Sequence, residues 1–123
     1  MTRAYSESEA SKILQAVSPD NGFRFCTDNG IYTKVTAVSL ADFAEKLQKI
    51  EINSVLFHYL RGDFQAWTNS TLGDQELAHR ISKLQSNLSP ETLRKQLLRL
   101  VNKRILELSR ISRHKLAGLF VDE

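Results

Sequence analysis

The sequence has few of the residues that form disulfide bonds or act in catalysis in many small proteins. It has one cysteine, Cys26, among 123 residues. A single thiol excludes an intramolecular disulfide and a cysteine-rich zinc module. No apolar run approaches the roughly 20 residues that span a bilayer, and the first residues lack the apolar stretch of a secretory signal. We therefore expect a cytoplasmic protein that does not enter the membrane.

Catalytic and ligand-binding motifs are also scarce. The five glycines are scattered, so there is no glycine-rich phosphate loop. The three histidines, His58, His79 and His114, show no metal-ligand spacing and no motif that links them to Cys26. We interpret Cys26 as a small apolar residue of a strand, and His58 as a buried or half-buried residue paired to a carboxylate or to the backbone. The sequence thus predicts no catalytic residue, no metal and no cofactor.

What the sequence does contain is typical of an ordinary globular domain. Hydrophobic residues make up 41% and charged residues 25% of the chain, close to average usage. The length suits a single domain over residues 1–123. The pattern predicts an α+β fold, mostly α: an N-terminal helix, one β-hairpin, and a bundle of four to five helices ending in a long basic amphipathic helix.

Local start and stop signals divide the chain. Ser6 and Glu9 form a capping box for a first helix to about Val17. Residues 23–38 alternate like two strands, and Asn29-Gly30 predicts a tight two-residue turn between them. The later helices are predicted to start at Ser39, at Asn53 or Ser54, at Asp63, at Asp74 and at Ser89, with ends near Ile50, Gly62, Thr71, Gln85 and Lys115. The segment 52–60 also fits a buried strand, although dense helix signals on both sides favour a helix.

The last helix, residues 90–115, carries most of the positive charge. Residues 89–115 have eight Lys and Arg against two Glu, whereas residues 1–88 have nine against ten Asp and Glu. At 100° per residue, this helix has two opposite faces. One is an apolar band formed by Leu93, Leu97, Leu100, Val101, Ile105, Leu108 and Ile111. The other is a cationic stripe formed by Lys95, Arg99, Lys103, Arg110 and Arg113, with His114 beside it. The stripe suits contact with a phosphate backbone or a solvated face, and the band suits pairing with another helix, as in a homodimer. Arg104 projects into the band, so it needs an acidic partner there or must reach the edge.

The stretch from His58 to Trp67 is the second candidate site. It places His58, Arg61, Asp63, Phe64 and Trp67 within ten residues. One interpretation is a ligand pocket with aromatic walls and a polar rim. The other is a corner between two packed helices, with Asp63 as the cap of the second helix.

Three segments carry a resemblance to a known family. SLADFAEKLQKI (39–50), SVLFHYLRGDFQAW (54–67) and LGDQELAHRI (72–81) resemble the SLxEFAxxL, FHxxRGDFxxW and LGDxxLAxxI signatures of an uncharacterised prokaryotic, largely archaeal, domain family. The likeness covers about residues 23–85, with Asp42 in place of the usual Glu. It implies a small α-rich domain that occurs alone or appended to larger proteins, including carbohydrate-active enzymes. The family has no established activity and implies no catalytic residue.

These observations lead to three hypotheses for function. The first is a non-enzymatic interaction or regulatory module that contacts a protein partner or a second copy through the last helix. The second is a nucleic-acid-binding protein that uses the cationic stripe. The third is a small-ligand accessory domain, linked to carbohydrate metabolism, with its site in the His58–Trp67 stretch.

Overall fold

The computed structural model describes residues 4–27, 29–85 and 87–113. Within them the chain forms a helical bundle with one two-stranded antiparallel sheet. The predicted α+β class, with an N-terminal helix, one hairpin and a bundle of four to five further helices, is confirmed, and the described residues contain five. In chain order the elements are α1 (Glu7–Leu14), β1 (Phe23–Cys26), β2 (Tyr32–Ala37), α2 (Leu40–Lys49), α3 (Ile52–Arg61), α4 (Asp63–Ala66), α5 (Gln75–Ser82) and α6 (Pro90–Ser112), with a 3₁₀ turn at Pro19–Asn21 and a π-helical turn at Trp67–Thr71.

Most helices begin where the capping signals predict. The Ser6 hydroxyl accepts from the Glu9 N–H, and the Glu9 carboxylate accepts from the Ser6 N–H, which completes the capping box of α1. The side chains of Ser39, Asp74 and Ser89 likewise accept from the third backbone N–H of α2, α5 and α6. Each cap satisfies a donor that the first turn leaves without a partner.

Helix α4 ends at Ala66, and the π-helical turn continues the chain to the predicted end at Thr71. Two other helices end earlier than predicted. Helix α1 stops at Leu14 rather than Val17, because the Val17 N–H donates to the carbonyl of Val38 (2.7 Å) and so joins the end of the hairpin. Helix α5 stops at Ser82 rather than near Gln85, where the chain tightens into i→i+3 bonds. The predicted end of α6 near Lys115 lies outside the described residues.

The hairpin turn differs from the predicted one. Thr27 and Ile31 close it through a 2.8 Å bond, and the Gly30 N–H donates to the Thr27 carbonyl. Gly30 has a φ of 75°. A two-residue Asn29-Gly30 turn would leave only those two positions inside the closing pair, whereas three positions separate Thr27 from Ile31, so the predicted turn is wrong. The extra residue in the turn comes with an irregular register between Phe25 and Cys26.

Residues 52–60 form helix α3, so the strand alternative is wrong. Ser54, Val55 and His58 are its buried side chains. They follow helical spacing, which directs one face of the segment into the core. The core combines an aromatic group around Phe23, Phe25, Phe43, Phe64 and Trp67 with the aliphatic residues of the other helices. Helix α6 packs against α1, α2, α3 and α5.

Candidate functional site

The His58–Trp67 stretch folds into a sharp corner between α3 and α4. Gly62 ends α3 with a φ of 75°, a left-handed conformation that glycine adopts without steric penalty. The reversal brings His58 Nδ1 to 2.8 Å from Asp63 Oδ2, and Arg61 Nε lies 3.0 Å from the same oxygen. Asp63 makes no cap bond, and the N-cap position of α4 is Gly62. The predicted capping role of Asp63 is therefore wrong, because its carboxylate is held by His58 and Arg61.

His58 uses both ring nitrogens in the corner. Nε2 lies 2.8 Å from the backbone N of Cys26 and accepts its hydrogen bond. Nδ1 therefore carries the proton that is donated to Asp63. Burial lowers the pKa of His58 and outweighs the opposing effect of Asp63. The sequence predicts that His58 is buried or half-buried and paired to a carboxylate or to the backbone, and the structure shows both partners. The neutral ring thereby joins β1 to α3.

The aromatic members of the corner are part of the core. Phe64 is fully buried and stacks on Phe23, with ring centroids 5.2 Å apart. Trp67 is also buried, and its Nε1 donates to the carbonyl of Asn21 (2.9 Å). Of the five residues predicted from this stretch, Arg61 is the exposed one. These contacts are those of a packed helix corner rather than of an open pocket.

The other candidate residues lie together on the outer surface of α6. Lys95, Arg99, Lys103, Arg110 and Arg113 are all exposed, and we call them the cationic face. With a rise of 1.5 Å per residue, the face is about 27 Å long. His114, predicted beside it, lies outside the described residues.

Both carboxylates of α6 are paired with arginines outside the cationic face. Glu91 lies 3.2 Å from Arg94 Nε. Glu107 lies 3.0 Å from Arg80 of α5 and 3.1 Å from Arg104. Burial alone would raise the pKa of Glu107, but hydrogen bonds from the two arginines lower it. Among the ion pairs of the described residues, none joins a carboxylate to a cation of the face.

The opposite side of α6 is used inside the chain. Leu93, Leu97, Val101 and Leu108 of the predicted apolar band are buried in the core. Arg104 projects among them, as predicted, and its acidic partner is Asp74: Nε lies 2.9 Å from Oδ2, and both side chains are buried.

Asp74 has a second role that the sequence predicts separately, as the cap of α5. The pairing itself had no sequence signal, because the two residues are 30 positions apart. The guanidinium of Arg104 also lies over the ring of Tyr5, 4.7 Å from its centroid. Arg104 therefore joins α5, α6 and the segment before α1.

An open groove lies between the hairpin and the end of α2, and the sequence analysis missed it. Its volume is about 700 Å³, and its walls include Ile31, Tyr32, Val35 and Ile50. Ile31 is 62% exposed. The groove joins residues from two separate segments, so no local pattern marks it. Within the described part of the chain, no group of three or more His, Cys, Asp or Glu side chains is placed to hold a metal ion.

Comparison with known protein families, with curated proteins and with solved structures finds no match for this chain. Among the described residues, no helix is both long enough and apolar enough to cross a bilayer.

Proposed function

We propose that this protein is a non-enzymatic interaction module that binds an anionic partner through the cationic face of α6. The observation that carries the proposal is the separation of charge on this helix. Its five outward cations are exposed and form no ion pair with a described carboxylate, while both of its carboxylates are held by other arginines. The face therefore offers to solvent a concentration of positive charge that no direct ion pair among the described residues neutralises.

Three cations of the face repel one another along the helix. Lys95, Arg99 and Lys103 follow one another at i,i+4 spacing. Like charges at that spacing destabilise a helix by about 0.2–0.5 kcal/mol per pair. A face selected only for solubility usually carries both signs in alternation. An anionic partner would relieve the repulsion, which supports a binding role.

A homodimer through α6 is a poorer explanation of the same surface. Most of the apolar band that would drive pairing of two copies is buried within the chain, and its half-buried members, Leu100, Ile105 and Ile111, pack against the same core. Two copies that met through the remaining outer surface would bring cationic face against cationic face. We therefore propose a partner of opposite charge.

The non-enzymatic part of the proposal rests on the corner. Among the described residues, His58 is the histidine that has a carboxylate partner, and this pair resembles part of a catalytic arrangement. Both of its nitrogens are engaged, with Asp63 and with the backbone of Cys26. A general base needs a free nitrogen within reach of the proton that it takes.

A heparin column tests the proposal with two variants of equal charge. The face variant is Lys95→Gln/Arg99→Gln/Lys103→Gln. The control variant is Lys12→Gln/Lys49→Gln/Lys83→Gln, whose three lysines are exposed and lie outside α6. We expect the face variant to elute at much lower salt than the natural protein, and the control to elute close to it. Equal loss of retention in both variants would mean that net charge alone governs binding, and the proposal would be wrong.

A further inference from the structure

We infer that the anionic partner is the phosphate backbone of a nucleic-acid duplex, bound without reading of its base sequence. The inference rests on the proposed function and names the partner of the same face. Its first support is the straightness of the charge array. The cations lie on a single helix of 23 residues. Buried residues from Leu93 to Leu108 hold that helix to the bundle along its length.

The length and charge of the face match a duplex. Double-stranded DNA carries one negative charge per about 1.7 Å of axis, so about 16 phosphates lie within the roughly 27 Å of the face. Each cation that approaches a phosphate releases condensed counterions, and this release supplies the binding free energy. A rigid array of cations can contact such a target without ordering either partner.

An acidic protein partner fits the face less well. Protein interfaces depend on a few large apolar or aromatic side chains at their centre. Among the described residues of α6, the one large hydrophobic side chain that is well exposed is Leu106, at 55%. The surrounding cations leave little apolar area for a protein contact. Phosphates, in contrast, need no apolar anchor.

A single strand also fits less well than a duplex. Proteins that bind single strands stack the bases on aromatic side chains, and this stacking offsets the ordering of a flexible chain. Helix α6 has no aromatic residue anywhere in its sequence. In the part of the chain that the structure describes, the exposed aromatic side chain is Tyr32 of the hairpin, and the Arg24 guanidinium lies over its ring, 5.0 Å from the centroid.

Base reading is not favoured by the composition of the face. Arginine and lysine can read guanine, but reading a mixed sequence also needs amide or carboxylate side chains that reach the edges of adenine and cytosine in a groove. Asn102 is the exposed amide nearest the cations, but it borders a small cavity shared with Ala41, Glu45 and Gln48 of α2. The carboxylate of Glu45 at this border would be repelled by a nearby phosphate. At 100° per residue, Asn102 lies within about 20° of Lys95 and Arg113, so it is at the border of the cationic face. The five cations themselves are suited to backbone contacts.

Fluorescence anisotropy over a range of salt concentrations tests the inference. The labelled probes are two 16-base-pair DNA duplexes of unrelated sequence, an RNA duplex of the same length, a 16-nucleotide single strand and polyglutamate. For five contacts, we expect log K against log salt to fall with a slope of about −4.5 on duplex DNA. Both DNA sequences should bind within about threefold of each other and at least tenfold tighter than the single strand or polyglutamate. If the RNA duplex binds more tightly than the DNA duplexes, the partner is an RNA duplex, and the inference of a nucleic-acid duplex stands.

The variants separate the possible failures. The Lys95→Gln/Arg99→Gln/Lys103→Gln protein should reduce the slope by about 2.7, whereas the Lys12/Lys49/Lys83 control should leave it unchanged. Arg110→Gln/Arg113→Gln, at the other end of the face, should reduce it by about 1.8. Circular dichroism confirms that each variant is folded. Tighter binding of the single strand or of polyglutamate, or a hundredfold preference between the DNA sequences, would overturn the duplex inference alone. No binding to any polyanion at low salt would overturn the proposed function as well.

Discussion

His58 shows how one side chain can make a small fold sensitive to pH. Its Nε2 accepts a bond from the backbone of Cys26, and its Nδ1 donates to Asp63. An imidazolium carries hydrogens on both nitrogens, so protonation would set two donors, Nε2–H and the Cys26 N–H, against each other. Arg61, which shares the Asp63 oxygen, further disfavours the positive ring. The fold therefore holds His58 neutral.

We expect the free energy of unfolding to decrease as the pH falls below about 6.5, the ordinary pKa of histidine. The unfolded chain takes up a proton in this range while the folded chain resists it, and the state that binds more protons gains as the pH falls. The lowered pKa values of Asp42 and Glu107 act at lower pH, because their ordinary values are 3.8 and 4.5. Urea denaturation between pH 8 and pH 5 measures the effect.

His58→Gln should remove this pH dependence and lower stability at pH 8 by about 1–3 kcal/mol, through the buried hydrogen bonds that it weakens. His79 is exposed on α5 and provides the control. His79→Gln should keep both the stability and the pH dependence of the natural protein. If the dependence survives in His58→Gln, a different group is responsible and our account of the corner fails.

At the scale of elements, the buried pair of Arg104 and Asp74 holds α6 to α5. Replacing Arg104 by Met would leave the Asp74 carboxylate buried without its cation. Breaking a buried pair in this way costs about 3–5 kcal/mol. We therefore expect Arg104→Met to be strongly destabilised in urea denaturation.

The double variant Arg104→Met/Asp74→Asn should recover a large part of that loss, because the substituted asparagine carries no charge and its side-chain oxygen can still cap α5. The single variant Asp74→Asn leaves the buried Arg104 guanidinium without the Asp74 carboxylate, so it completes the double-mutant cycle that measures the coupling of the pair. If the double variant is as unstable as Arg104→Met, the unpaired charge is not the cause, and lost packing of the long arginine side chain explains the effect instead.

The helix boundaries show which parts of this fold are encoded locally. The caps Ser6, Ser39, Asp74 and Ser89 were predictable because each bonds a backbone group three residues away. The end of α1 was not, because a bond from Val17 to Val38 decides it. The hairpin turn was also mistaken, since Asn29-Gly30 fits more than one turn geometry. Local sequence signals therefore predict the first residue of a helix better than its last residue, because tertiary contacts can decide where a helix ends.

The candidate sites were predictable to different degrees for the same reason. The cationic face follows from helical periodicity alone, and its five residues are exposed as the pattern predicts. The ion pair that holds Glu107 away from the cationic face was not predictable from the sequence, because Arg80 reaches Glu107 from a different helix. The sequence also left open whether His58 to Trp67 form a site or a corner, since burial depends on which elements cover them. The family resemblance remains a prediction.

At the scale of the whole molecule, the two sides of α6 have different roles. Its apolar side closes the core against α1, α2, α3 and α5, and its outer side presents the cationic face. The firm attachment keeps the cations in line, so stability and proposed binding depend on the same helix. Substitutions on the cationic face should therefore change binding while the fold stays intact.

The most direct test is a nuclear magnetic resonance titration of the ¹⁵N-labelled protein with a 16-base-pair DNA duplex, about twice the length of the cationic face. We expect the amide signals that shift to belong to α6, centred on Lys95 to Arg113. Signals from the groove around Ile31 and Ile50, and from the corner around His58, should stay in place. Shifts concentrated in the groove or the corner, with α6 unchanged, would contradict the account.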